Sequence, residues 1–229
     1  LLENLDVFGN DDELGCFPDP VKIETEGDPV SVRQHPISQK FQAVVDDYVQ
    51  NMLETGVIRV CADPKGWNSP LIVVPKKDGS GRVCANFKNT INKKLCRPDP
   101  FQVASIDDIM QDIENGNRLF SSMDLHRGYW QMMIREEDRH KTAFCWKGRT
   151  FEYCRLPFGY TASGNIFSRK VAEALNSVNF DKKSIKTYID DIAVVDKDFD
   201  SFVEHHVSVF KALRKFNLKL RAKKCVFLR

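Results

Sequence analysis

A chain of 229 residues has room for one large domain or two small lobes. Its 42% hydrophobic and 29% charged residues are ordinary for a soluble globular protein. No apolar run approaches the length of a bilayer crossing, and the first residues lack a signal-peptide pattern, which argues against a membrane protein. The net charge of +2 is unevenly spread: residues 1–30 hold nine acids and one base, a net of −8, so the remainder carries +10. That split suits an acidic leader beside a nucleic-acid-binding body, and it is also a common surface accident. The seven cysteines are scattered and form no C-x-x-C pair, which argues against a structural zinc site and for reduced thiols inside a cell.

Residues 1–36 carry turn formers, acids and four prolines and read as an extended leader. Ser38 is a plausible N-cap for a helix whose face is Phe41, Val44, Val45, Tyr48, Met52 and Leu53, ended by Gly56. Strands are expected over 57–60 and 70–75, then a charged, glycine-rich tip at 76–81 and a return strand at 82–86. Ser105 caps a short helix whose first-turn acids Asp107 and Asp108 suit its dipole. Residues 119–124 lean to strand, as do parts of 141–153. A turn at 156–159 leads into a helix from about 164 to 178. Val203, Val207, Phe210 and Leu213 predict a further helix face, and the basic run 219–227 leans to strand.

The stretch Lys186-Thr-Tyr-Ile-Asp-Asp-Ile-Ala-Val-Val195 places Asp190 and Asp191 between two runs of β-formers, which predicts a hairpin with the acids at its bend. Two adjacent carboxylates repel, and a divalent cation removes the conflict. Asp-Asp pairs also stand at 11–12, 46–47 and 107–108, so the dipeptide alone reads equally as solvated surface. What separates this pair is its strand setting and a third acid, Asp124, near the end of another β-leaning run. Two strands delivering carboxylates to one sheet end make a two-metal site for phosphoryl transfer. The residues alone leave both readings open. They also favour Tyr129 and Trp130 as core aromatics, and Lys77 and Lys224 as surface lysines.

Tyr188-Ile-Asp-Asp191 resembles the YxDD box of reverse transcriptases. Further blocks stand around it in that family's order: Ser69-Pro-Leu-Ile-Val-Val-Pro-Lys-Lys-Asp-Gly79, Arg82-Val-Cys, Phe120-Ser-Ser-Met-Asp-Leu125, Gly128-Tyr-Trp-Gln131, Lys141-Thr-Ala-Phe144 and Leu156-Pro-Phe-Gly159. Glu204-His-His, Val209-Phe210, Leu218-Lys-Leu and Lys224-Cys-Val-Phe227 complete the series. Together they resemble the polymerase of a gypsy-type long-terminal-repeat retrotransposon over nearly the whole chain.

The resemblance implies an α+β, right-hand polymerase fold with fingers and palm, the palm an antiparallel sheet backed by helices. After the leader (1–36) it assigns 37–104 and 135–158 to the fingers and 105–134 and 159–229 to the palm. Thumb, connection and RNase H are expected to be absent, the chain stopping at Arg229 just before the primer-holding segment. The implied activity is template-directed DNA synthesis from dNTPs on RNA, or DNA, by attack of a primer 3′-hydroxyl. The implied cofactor is Mg²⁺, as two ions, with Mn²⁺ as a substitute. Asp124, Asp190, Asp191 and the Leu125 carbonyl would hold the metals. Lys77 and Arg82 would grip the triphosphate, Tyr129 would exclude a 2′-hydroxyl, Phe158 would pack on the nucleotide, and Lys224 is the candidate general acid.

Implied partners are a primed RNA or DNA template, dNTPs, other Pol domains such as RNase H and integrase, or a second copy, with no membrane. The implied location is the cytoplasm, within virus-like particles. Asn86, Arg127 and Ala162-Ser-Gly164 depart from the family pattern; Arg127 would either crowd the triphosphate or add a phosphate contact. The alternatives are a silent polymerase fragment acting as a structural or nucleic-acid-binding subunit, and an RNA-dependent RNA polymerase.

Overall fold

The computed structural model describes residues 2–10, 13–76, 79–96, 101, 119–179 and 183–228. Lys77 and the helix expected after Ser105 lie outside the described residues. In chain order the regular elements are α1 (Gln42–Glu54), β1 (Ile58–Val60), β2 (Leu71–Pro75), β3 (Gly81–Ala85), β4 (Leu119–Asp124), β5 (Phe144–Trp146) and β6 (Arg149–Tyr153), then α2 (Ser163–Asn176), β7 (Ile185–Tyr188), β8 (Asp191–Asp196) and α3 (Phe199–Lys215), with short 3-10 turns between them. Helices with antiparallel sheets make this an α+β fold. The chain divides into two compact units. The first comprises Leu1–Pro18, Asp99–Gln131 and Gly164–Arg229; the second comprises Asp19–Pro98 and Met132–Ser163.

In the second unit α1 buries Val45, Val49 and Met52, spaced to share one helix face, and Gly56 ends the helix at φ +64°. Ser38 makes no side-chain cap; its carbonyl instead accepts from Phe41 N–H, opening a 3-10 turn ahead of α1. The strands form a three-stranded sheet ordered β1-β6-β5 and a β2-β3 hairpin. Phe144 stacks on Phe151 within the first of these, both fully buried. Asp138 and Lys141 tie down residues 19–36: Asp138 Oδ2 accepts from Ile23 N–H, and Lys141 Nζ donates to the Ile23 carbonyl.

In the first unit the sheet is ordered β4-β8-β7. Alternation decides its faces: Ser121 and Met123 on β4 and Ile192 and Val194 on β8 are buried. Asp198 caps α3 by accepting from Ser201 N–H. The buried side of α3 is Phe202, His206, Val209, Phe210 and Leu213. Val203 and Val207, expected on that face, are exposed, because the packed stripe runs through His206 instead. The basic run 219–227 is not a strand. It covers the free edge of β4 at two isolated points, Leu220 opposite Leu125 and Val226 opposite Ser122, with the 3-10 turn Ala222–Lys224 between them.

Residues 1–36 are largely extended, and their two halves pack into different units. Val7 and Phe17 are buried in the first unit, Val21 and Ile23 in the second. Phe8 joins Phe210 and Phe227 edge to face, Arg214 forks onto Asp6, and Phe17 stacks on Phe216 at 5.0 Å. A buried phenylalanine truncated to alanine loses its transfer energy and leaves a cavity, so Phe17→Ala is expected to destabilise the protein by about 3–5 kcal/mol in urea unfolding. A solvated leader would tolerate the same change within about 0.5 kcal/mol.

Candidate active site

Strand register brings the acids together. In the β4–β8 ladder Asp124 stands directly opposite Asp191, and in the β7–β8 hairpin Tyr188 pairs with Asp191, leaving Ile189 and Asp190 as a two-residue tip. Ile189 has φ +52° while Asp190 does not have a positive φ, the sign pattern of a type II′ turn. A β-branched residue in that region is strained, by about 1–3 kcal/mol. The tip is tied back to β4 by Leu125 N–H donating to the Asp190 carbonyl at 3.0 Å.

The electrostatics are those of crowded carboxylates. Burial, then the charges of Asp124 and Asp191, push Asp190 up to about 6, with Lys224 opposing. Asp191 is raised by burial and by Asp124, again against Lys224. Asp190 Oδ1 is buried and has no hydrogen-bond partner. Lys224 Nζ donates to Asp124 Oδ2 at 2.9 Å, so this lysine is not the unengaged surface residue that its sequence context favours.

The sequence-selected residues fall into two groups. Asp124, Leu125, Tyr129, Asp190, Asp191 and Lys224 belong to the first unit. The Leu125 carbonyl accepts from Gly128 N–H at 3.2 Å and keeps a second lone pair. Tyr129 is half-buried, edge-on to Phe167 at 5.5 Å, and its hydroxyl is held above the usual range by burial and by Asp190. Arg127 lies over the Trp130 ring at 5.6 Å.

Arg82 and Phe158 belong to the second unit. Arg82 is exposed on β3 opposite Val74, and Phe158 is 46% exposed. The turn bearing Phe158 is clamped by Asn92, whose amide donates to the Gly159 carbonyl and accepts from Thr161 N–H. Ser163, one of the departures, is buried and donates to the Pro157 carbonyl. Asn86 accepts from Lys88 N–H.

Two supporting residues are the ends of the Gly128-Tyr-Trp-Gln131 block, to which the sequence assigned no role. Gly128 has φ +26°, and a Cβ there would lie 2.9 Å from Asp190 Oδ1. Gln131 is fully buried; its amide donates to the carbonyls of His126 and Lys219 and accepts from Lys219 N–H. The sequence signal for both was their place in that block beside Asp124.

A family model described as reverse transcriptase (RNA-dependent DNA polymerase) matches residues 74–229. The chain belongs to the reverse transcriptase family. Similar curated proteins include the Pol polyproteins of transposons 297 and gypsy from Drosophila melanogaster, 32% and 30% identical across 90% and 89% of this chain. The Tf2-3 polyprotein of Schizosaccharomyces pombe is 27% identical across 90%. This reverse transcriptase chain spans a fifth or less of those polyproteins' length, 19%, 20% and 15% respectively.

Among solved structures, the foamy viral protease-reverse transcriptase in complex with an RNA/DNA hybrid is similar with a TM-score of 0.85 at 24% identity, over 99% of this chain and 30% of that one. The same enzyme with double-stranded DNA gives 0.78 over 99% and 46%. The fold is therefore the fingers and palm of a retroviral-type polymerase.

Reverse transcriptases generally use divalent metals. The residues of this reverse transcriptase fit such an ion. The donors are carboxylate oxygens, one of them buried and unbonded, in a set whose mutual repulsion a dication relieves. Among the described residues no three His, Cys, Asp or Glu side chains already stand in a metal-holding arrangement.

The close approach of Gly128 to Asp190 leads to a clear expectation. Gly128→Ala pushes the carboxylate aside, and primer-extension activity is expected to fall at least about tenfold, since a misplacement on the order of 1 Å costs that much or more. Circular dichroism should show the fold retained.

Proposed function

We propose that this chain is the catalytic fingers-and-palm portion of a retrotransposon reverse transcriptase, synthesising DNA from dNTPs on a primed RNA or DNA template. The observation that carries the reading is the ladder register, with Asp124 opposite Asp191 and Asp190 at the adjoining tip. Family membership and the likeness to an enzyme solved with an RNA/DNA hybrid support it.

In this reading the primer 3′-oxygen bonds to the α-phosphorus while the bond to pyrophosphate breaks. The hydroxyl proton is lost and the pyrophosphate gains one. Divalent cations, when bound, supply neutralisation of the phosphate charge and acidity to the attacking hydroxyl. Asp124, Asp190, Asp191 and the Leu125 carbonyl would hold them, Mg²⁺ being the ion best matched to oxygen donors with retained waters. Asp190 and Asp191 are positioned by the strained tip and Asp124 by the end of β4, so the carboxylates need little rearrangement.

Tyr129, braced edge-on by Phe167, would lie under the sugar and leave no room for a 2′-hydroxyl. Lys77 and Arg82 would grip the triphosphate, Arg82 by its planar fork. Phe158 would offer its exposed ring to the nucleotide. Lys224 would protonate the pyrophosphate. The second unit would correspond to the fingers and the first to the palm. In the relatives such a segment sits within a Pol polyprotein, which supports other Pol domains as partners; the proposed setting is virus-like particles in the cytoplasm.

The test is extension of an oligonucleotide-primed RNA template with dNTPs and Mg²⁺, beside Asp190→Asn. Wild-type extension with a loss of at least about a thousandfold in the variant is expected, as for removal of a principal charge-stabilising group. Equal extension by both proteins would contradict the proposal. Template–primer binding without extension by either would favour the silent-subunit reading.

A further inference from the structure

Lys224 is held in place far more firmly than an exposed lysine needs to be. On one side Arg221 N–H donates to the Asp124 carbonyl at 2.8 Å, and Leu220 bridges to Leu125. On the other, Ser122 and Val226 exchange both backbone hydrogen bonds, at 2.9 and 2.8 Å. Behind these, the buried amide of Gln131 takes both the N–H and the carbonyl of Lys219. The turn Ala222–Lys224 is therefore pinned to β4 at both ends, and it delivers an ammonium to Asp124 Oδ2. The side chain itself stays 53% exposed, so it is fixed at its root and free to swing at its tip.

Two further features define what this ammonium faces. Asp124 and Asp191 are ladder partners, an arrangement that destabilises a sheet when both are charged. Asp190 presents a buried oxygen with no hydrogen-bond partner beside them. Lys224 is the cation that acts on both Asp190 and Asp191 as well as pairing with Asp124.

We propose that Lys224 is the resident counter-ion of the acid trio, and that a divalent cation binding the trio displaces its ammonium from Asp124, so that metal loading and release of the lysine are one linked event. This rests on the reading of Asp124, Asp190 and Asp191 as a divalent-cation site. An ammonium and a dication compete for the same carboxylate oxygen, and at contact distance their like charges repel. Without the dication, Lys224 offsets part of the repulsion among the acids. With it, the ammonium is expelled on its flexible stem.

The experiment is a Mn²⁺ titration of the 229-residue chain, without substrates, followed by water-proton relaxation. Wild type is compared with Lys224→Gln, Lys223→Gln and Asp190→Asn. Lys224→Gln is expected to bind Mn²⁺ roughly three- to tenfold more tightly, the scale of one partly screened ion pair. Lys223→Gln, which removes the same charge from the exposed neighbour, should stay within about twofold. Asp190→Asn should bind more weakly.

Unchanged or weaker binding by Lys224→Gln, with Asp190→Asn weakened, would overturn the exchange and leave the metal-site reading standing. Equal tightening by both lysine variants would also overturn it, as an effect of net charge alone. Asp190→Asn binding as well as wild type would overturn the metal-site reading and the exchange together. A second measurement needs no variant: acetylation of Lys224 by an amine-reactive reagent, read by mass spectrometry against Lys223. It should rise severalfold when Mg²⁺ is added; no rise relative to Lys223 would overturn the proposal.

Discussion

The pairing of β4 with β8 is the constraint on which the rest of the site depends. It sets Asp124 opposite Asp191, two like charges that would separate if side-chain electrostatics alone decided. They stay together because the ladder is anchored elsewhere, by buried Met123 and Ser121 on one strand and Ile192 and Val194 on the other. A one-residue slip would turn every one of these side chains to the opposite face, so the hydrophobic pattern that folds the sheet also specifies the acid cluster. Stability spent on crowding carboxylates would be recovered by a cation bound to them.

Around that ladder the chain adds supports that carry no catalytic chemistry themselves. Ile189 takes the positive φ that lets Asp190 occupy the second tip position, and Gly128 leaves the space that the Asp190 carboxylate fills. The run 219–226 closes the free edge of β4, which would otherwise expose unpaired backbone groups, and it carries Lys224 to Asp124. Gln131 adds its side-chain amide to the backbone bond that His126 N–H makes to the Lys219 carbonyl. Ladder pairing and backbone hydrogen bonds hold the carboxylate side, while the Lys224 side chain is 53% exposed.

Much of this was legible from residue pattern, and the exceptions share a cause. The hairpin over 185–195 was readable because strict runs of β-formers flank the acids, and α1 because its apolar residues recur at helical spacing. The packed face of α3 was misjudged because His206, counted as polar by any binary pattern, is buried between Phe202 and Phe210 while Val203 and Val207 face solvent. Residues 1–36 read only as an extended leader, without their buried residues, because Val7, Phe17, Val21 and Ile23 follow no period and their burial depends on surfaces supplied by distant parts of the chain. Lys224 pairs with an acid 100 positions away, a contact that no local pattern encodes. Family resemblance supplied the site roles of Asp124, which residue type left open, and of Tyr129, which residue type favoured as core.

Under the proposed function, strand register makes Asp124, Asp190 and Asp191 a divalent-cation site. The most direct measurement is paramagnetic broadening of backbone amide signals when substoichiometric Mn²⁺ is added to ¹⁵N-labelled protein. Leu125, Gly128, Asp190, Asp191 and Ile192 are expected to lose intensity first. Broadening that begins at other carboxylates, such as Asp46, Glu136 or Asp198, and leaves Leu125 and Asp191 sharp would contradict it.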